Sequence, residues 1–188
     1  MAEKTGRADA RRNRERLVEV ARRAFAAGEG NVTLDGIARE AGVGIGTLYR
    51  HFPTREALIE AVYRAEQSRL AESAAELLAR REPADALRAW MDRFADYVAT
   101  KREMADALRV VIASGAVTAT ESRERLSAAV ATMLDAGATA GTLRADVRAE
   151  DVVASLVGVF LACGRPDQRA QAGRMLDLLM DGLRRSPV

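Results

Sequence analysis

The sequence predicts an all-α protein of about nine helices, because apolar residues recur at three- and four-residue spacing along nearly the whole chain. Two further observations point the same way. Hydrophobic residues make up 48% of the 188 positions while aromatics make up only 4%, so Ala, Leu and Val must build the core by helix packing. There are only four prolines, and no segment alternates convincingly with period two, so nothing reads as a sheet. The length suits one ordinary domain, or a small domain carried on a larger one.

The elements follow in order. Residues 1–10 are polar and read as a flexible basic arm. Arg11, Arg12, Arg14 and Arg16 then lead into a helix whose apolar stripe is Leu17, Val20, Ala21, Ala24 and Phe25, ended by Gly28 and Gly30. The run VTLDGIAREAGVGIGTLYRHFPTREA, Val32 to Ala57, reads as a helix, a tight glycine turn, a short second helix and the capped start of a third. Thr33 precedes the helically spaced Leu34, Ile37, Ala38 and Ala41 and is expected to cap free backbone N–H groups, with Asp35 favouring the positive end of the dipole. Gly42 sits where a left-handed residue ends a helix. Leu48 and Phe52 would anchor the second helix, leaving Ile45, Gly46, Thr47, Tyr49, Arg50 and His51 on its outer or leading surface. Pro53-Thr54-Arg55-Glu56 stops that helix and caps the next.

From Arg55 to about Arg80 nothing interrupts a long helix lined by Leu58, Val62, Leu70, Ala74 and Leu77. Pro83 fits the first turn of a new helix bearing Leu87, Trp90, Met91, Phe94, Tyr97 and Val98. A further helix carries Met104, Ala107, Leu108, Val111 and Ile112, and small residues from Ser114 to Thr120 form a loop. Glu121 to about Ala136 is the next helix, followed by a glycine-rich turn from Gly137 to Arg144. The helix from about Glu150 to Cys163 is apolar almost all round, which predicts burial on more than one side, and Ser155, Gly158 and Ala162 give it a strip for close helix contact. The last helix shows Met175, Leu176, Leu179, Met180 and Leu183.

Charge and chemistry narrow the function. The net charge is +2, but residues 1–56 hold eleven Lys or Arg against eight Asp or Glu, while the remainder holds eighteen against nineteen. The excess therefore lies with the glycine-turn segment, where phosphates would be met. One cysteine, Cys163, excludes an internal disulfide and a cysteine-rich zinc site, and in its apolar segment it reads as a small core residue. The longest apolar run is too short to span a membrane, and a polar, basic start carries no signal peptide, so a cytoplasmic location without membrane contact is expected. His51 is the single histidine and has no neighbouring partners for catalysis or metal binding, so neither metal nor cofactor is expected.

The helix–turn–helix reading and the run TLYRHFPTREAL resemble the signature of the TetR family of one-component bacterial transcriptional regulators. Phrases at Ala99-Thr100-Lys101-Arg102 and Leu143-Arg144-Ala145-Asp146 resemble an actinobacterial branch of it. The resemblance implies three regions: the arm at 1–10, a DNA-binding domain at 11–53, and an effector-binding and dimerisation domain at 54–188. It implies that Thr33, Tyr49, His51 and Arg55 meet phosphates, and that Ile45, Gly46, Thr47 and Arg50 face base edges. Arg50 suits a guanine, and Thr47 a base edge or a thymine methyl. Many relatives have Lys where this chain has Ile45, which exchanges a cationic contact for an apolar one. The arm is either solvated or reaches phosphates through Lys4, Arg7 and Arg11.

By the same resemblance, the last two helices form a homodimer, although they also fit an ordinary intrachain core. Such a dimer would read a palindromic operator and release it when a small effector binds the larger domain. Trp90, Phe94, Tyr97, Met104, Leu108, Met133 and Phe160 are candidates to line an effector pocket, each also consistent with plain core packing; the apolar character of the set suits an apolar or aromatic ligand. Two other readings compete with a ligand-responsive repressor. An architectural DNA binder would show weak sequence preference and steep salt dependence, against which the modest net charge argues. A helical enzyme would need chemistry that none of these residues supplies.

Overall fold

The structure, a computed structural model, describes residues 2–27 and 32–185. These residues form nine α-helices and no strand beyond one isolated bridge. The helices are α1 (Ala2–Ala26), α2 (Leu34–Glu40), α3 (Ile45–His51), α4 (Arg55–Leu78), α5 (Pro83–Glu103), α6 (Ala105–Ala113), α7 (Ala119–Thr139), α8 (Ala149–Ala162) and α9 (Arg169–Leu183). The all-α expectation holds, with an N-terminal helical head joined by a long helix to a C-terminal helical domain. The chain divides into two compact units, one of residues 1–66 with 100–117, the other of residues 67–99 with 118–188. The helix α4 runs unbroken from the first into the second.

In the first unit, α1 begins earlier than its apolar stripe suggests, so residues 2–10, expected as an arm, are its opening turns. The side chains of residues 1–7, and hence those of Lys4 and Arg7, lie outside the described residues, as do Gly28 and Gly30. Leu17, Val20, Ala21 and Phe25 of α1 are buried together with Ile37, Ala38, Leu48, Phe52, Leu58 and Val62. Polar ties run between these helices. Arg22 pairs with Glu19 at 2.7 Å and lies 3.7 Å from the nearly buried Glu66 of α4. The hydrogen bond to Glu19, aided by both acids' charges, raises the Arg22 pKa against the opposing pull of burial. Arg23 reaches Glu40 at 3.1 Å, and Lys101 lies over the Tyr63 ring at 5.7 Å.

In the second unit, Trp90 is fully buried and its indole Nε1 donates to the Leu70 carbonyl at 2.8 Å, which fixes α5 on α4. The helix α7 starts at Ala119 rather than Glu121, because the Thr118 hydroxyl accepts from the Glu121 N–H at 3.1 Å and caps it. It also continues through Gly137 to Thr139, three residues past the expected end. Leu143 explains this extension: a Cβ on Gly137 would lie 2.4 Å from Leu143 Cδ1 and 2.8 Å from its Cβ, so only glycine admits this turn against the helix. Leu143 then bridges Arg184 in antiparallel fashion, and Arg144 N–H donates to the Leu183 carbonyl at 2.9 Å, so the α7–α8 connection pins the end of α9. Val152, Val153, Leu156, Val159 and Phe160 of α8 are buried, while its outer side stays open, with Val157 40% and Leu161 80% exposed.

Candidate nucleic-acid interface

The site is built by α2, its turn and α3. Thr33 Oγ1 accepts from the Gly36 N–H at 3.1 Å, capping α2 as its position ahead of the apolar spacing requires. At the other end Gly42 adopts φ +69°, its N–H donates to the Arg39 carbonyl at 3.1 Å, and the Val43 N–H donates to the Ala38 carbonyl at 3.0 Å. This bond pair is a Schellman motif, which closes the helix and redirects the chain into α3. Gly44 caps α3 without a side chain, and its carbonyl accepts from Thr47 and Leu48.

Of the seven residues of α3, Leu48 alone is fully buried, and Phe52 follows it into the core. Arg14 of α1 stacks over the Phe52 ring at 5.1 Å and Arg16 donates to the Ala41 carbonyl at 3.5 Å, so α1 braces the start of the turn and the far end of α3. Sequence reasoning gave these two arginines only to a charged helix start; the contacts join residues far apart in the chain and leave no periodic trace.

The candidate contact residues divide by location. Ile45, Gly46, Tyr49 and Arg50 are exposed on α3, with Tyr49 48% accessible. A Cβ on Gly46 would meet nothing within 4 Å, so that position is open to whatever approaches. Thr47 and His51 are half-buried on the same short helix, and Thr33 is exposed at the start of α2. Arg50 bends back on α3, Nη2 donating to Thr47 Oγ1 at 2.9 Å and Nε to the Gly46 carbonyl at 3.4 Å. Arg55 is partly committed to the fold: Nη1 donates to the Val32 carbonyl at 2.7 Å and the guanidinium lies 5.9 Å from the Phe25 ring centroid. Of the arm candidates, Arg11 pairs with Glu15 at 3.6 Å in the exposed part of α1.

The seven pocket candidates are shared between the two units. Met104 and Leu108 belong to the first unit and are buried there. In the second unit Phe94 has the Trp90, Tyr97 and Phe160 rings around it, each at a centroid distance of 5.8 Å, and Met133 is fully buried. Cys163 is buried with its Sγ 3.5 Å from Met175 Sδ. Among the described residues no group of three or more His, Cys, Asp or Glu could hold a metal ion, and no helix is long and apolar enough to cross a membrane.

Comparison with known proteins agrees with this geometry. Residues 17–62 match the family described as bacterial regulatory proteins, tetR family. Residues 82–185 match the C-terminal domain of SbtR-like transcriptional regulators. The crystal structure of a TetR transcriptional regulator from Streptomyces coelicolor is 52% identical, covers 93% of this chain and 99% of its own, and superposes with a TM-score of 0.82. A TetR transcription regulatory protein from Mycobacterium vanbaalenii is 37% identical over 95% of this chain and 99% of its own, with a TM-score of 0.72. An HTH-type transcriptional regulator of Staphylococcus aureus is 45% identical over 53 residues, which span 28% of this chain and 29% of that protein. With the helix–turn–helix match at one end, the C-terminal match over more than half the chain and a relative of this identity along nearly its whole length, the chain belongs to the TetR family of bacterial transcriptional regulators, non-enzymatic proteins that bind DNA.

Proposed function

We propose that this chain is a sequence-specific, operator-binding repressor that acts as a homodimer and is released by a small apolar or aromatic effector. The observation that carries the reading is the exposed surface of α3. Ile45, Gly46, Tyr49 and Arg50 all face outward from a seven-residue helix whose single buried anchor, Leu48, seats it on the head. An exposed aromatic, a guanidinium and a backbone free of Cβ on so short a helix serve no packing purpose, and they suit insertion into a major groove. In this reading Ile45, Gly46, Thr47 and Arg50 meet base edges. Thr33, Tyr49 and His51 meet phosphates, joined by Arg55 through the donors that Val32 does not take.

The dimer reading draws support from the outer side of α8 and α9. Val157, Leu161 and Leu178 are 40%, 80% and 71% exposed, and Ser155, Gly158 and Ala162 lie exposed on α8 as well. Large apolar residues beside small ones let two helices approach closely, and one further copy of the same pair would complete a four-helix bundle. The effector reading draws on the ring cluster of Trp90, Phe94, Tyr97 and Phe160, with Gln67 Nε2 donating to the Tyr97 hydroxyl at 3.5 Å as a polar handle at its edge. The rings are packed closed, so a ligand enters by parting them and shifts the population only through its preference for that parted state.

Footprinting on the DNA flanking the gene tests the whole proposal. Two protected half-sites are expected, related by a twofold axis and centred about 34–36 Å or a multiple apart. An even protection pattern without half-sites would favour the architectural alternative.

A further inference from the structure

We propose that Thr47 is a positioning residue that sets Arg50 to read a guanine, an inference that rests on the DNA-binding reading above. The guanidinium of Arg50 carries five N–H hydrogens. Its side-on edge, Nε with one hydrogen of Nη2, is closed by the helix that bears it. Nε donates to the Gly46 carbonyl at 3.4 Å and Nη2 to Thr47 Oγ1 at 2.9 Å. The end-on edge, one hydrogen each from Nη1 and Nη2, stays open, and Arg50 is exposed.

Three features make this edge a reader of bases. The two bonds draw the guanidinium toward Gly46 and Thr47, the N-terminal part of α3, and that part of a recognition helix is the one that contacts base edges. Thr47 is half-buried beside the anchored Leu48, and its β-branch confines χ1 to two rotamers in a helix, of which the one present places Oγ1 against Arg50 Nη2. Gly46 adds no side chain next to the guanidinium, leaving an approaching base unobstructed. Two parallel donors on one edge require two adjacent acceptors. Guanine offers N7 and O6 in the major groove, whereas adenine sets a donor beside its N7 and thymine has a single acceptor. To the extent that these two bonds restrain the side chain before DNA arrives, less of its rotamer entropy is lost on binding.

Selection from a random-sequence duplex library with the full chain, followed by competition binding, tests the proposal. The wild type is expected to select a guanine at a symmetric position in each half-site. Replacing that guanine with 7-deazaguanine, which keeps O6 but lacks the N7 acceptor, is expected to weaken binding about three- to tenfold per half-site. Arg50→Ala should be indifferent to the replacement. Thr47→Ala should lose most of the discrimination while keeping its melting temperature, and Thr47→Ser should retain it. If Arg50→Ala and Thr47→Ala weaken all duplexes equally and keep the guanine preference, Arg50 is a phosphate contact and the proposal is overturned. If Arg50→Ala loses the preference and Thr47→Ala keeps it, the role of Thr47 is overturned alone. A wild type that selects no sequence would overturn the DNA-reading function itself, a result distinct from either.

Discussion

The Arg55 guanidinium donates from Nη1 to the carbonyl of Val32 at 2.7 Å, binding the first residue of α4 to the residue just ahead of the α2 cap. Val32 and Arg55 are both half-buried, so the carbonyl cannot simply exchange this donor for bulk water. Arg55→Ala is expected to lower unfolding stability by about 1.5 kcal/mol, near the lower limit for a hydrogen bond to a charged group. Urea unfolding followed by circular dichroism reads the change, and an unaltered midpoint would show that the tie contributes nothing.

Gly137→Ala should destabilise the protein, the opposite of what a glycine-to-alanine change in a helix ordinarily does. Alanine is the better helix former, yet its Cβ would press on three atoms of the fully packed Leu143, one of them that residue's own Cβ. A clash that reaches Cβ cannot be relieved by a rotamer change alone. About 1–3 kcal/mol of destabilisation is expected, as for other overpacked cores. A double change, Gly137→Ala with Leu143→Ala, should recover only the part of the clash made by Cγ and Cδ1, since alanine keeps the Cβ 2.8 Å away, and should leave a cavity. A thermal midpoint raised by the single change would contradict the close contact.

These two contacts mark where the sequence stopped being legible. The helix–turn–helix could be read because its determinants are local: a Thr33 cap, a Gly42 turn and apolar residues in helical register through Leu48. The Pro83 start of α5 was legible for the same reason. The end of α7 was not, because a glycine in the last turns of a helical pattern looks like a terminator until its partner Leu143 is seen in space. The start of α7 was missed because Thr118 stands in a run of small residues where several could cap. Arg14, Arg16 and Arg55 read as solvent or phosphate cations, while their contacts to Phe52, Ala41 and Val32 cross from one helix to another. The apolar α8 was legible in composition, but which of its residues form the open outer stripe was not, because Val157 and Leu161 have the same character as the buried Val153 and Leu156.

The Arg144–Asp146 pair gives a pH signature. Two hydrogen bonds from Arg144, at 3.0 and 2.8 Å, together with one from the backbone hold the Asp146 carboxyl below its ordinary value. A carboxylate with a depressed folded pKa contributes stability above its unfolded value of about 3.9, and that contribution is lost as pH falls through the folded value. Asp146→Asn should therefore melt below the wild type near neutral pH, and the gap should close as the solution is acidified below about pH 4. A gap that widens in acid would contradict the assignment. The effect is small, because both side chains are about half exposed or more.

Self-association should depend on the outer residues of α8 and α9. Leu161→Glu or Leu178→Glu is expected to weaken the dimer roughly ten- to 150-fold, the equivalent of one leucine side chain kept in water. Val110→Glu, at a position 56% exposed on α6, provides the control and should leave association unchanged. Sedimentation velocity across a dilution series measures all three, and equal effects at every position would dismiss the α8–α9 interface.

Fluorescence anisotropy distinguishes operator recognition by α3 from non-specific binding to DNA. The protein is titrated into labelled DNA from upstream of its own gene and into a scrambled duplex, at two salt concentrations, beside Tyr49→Ala. Tight binding to the first duplex and weak, salt-sensitive binding to the second are expected, with Tyr49→Ala weakening both while keeping the preference and the fold, as the loss of a phosphate contact does. Equal binding of both duplexes by wild type and Tyr49→Ala, falling together as salt rises, would contradict operator recognition.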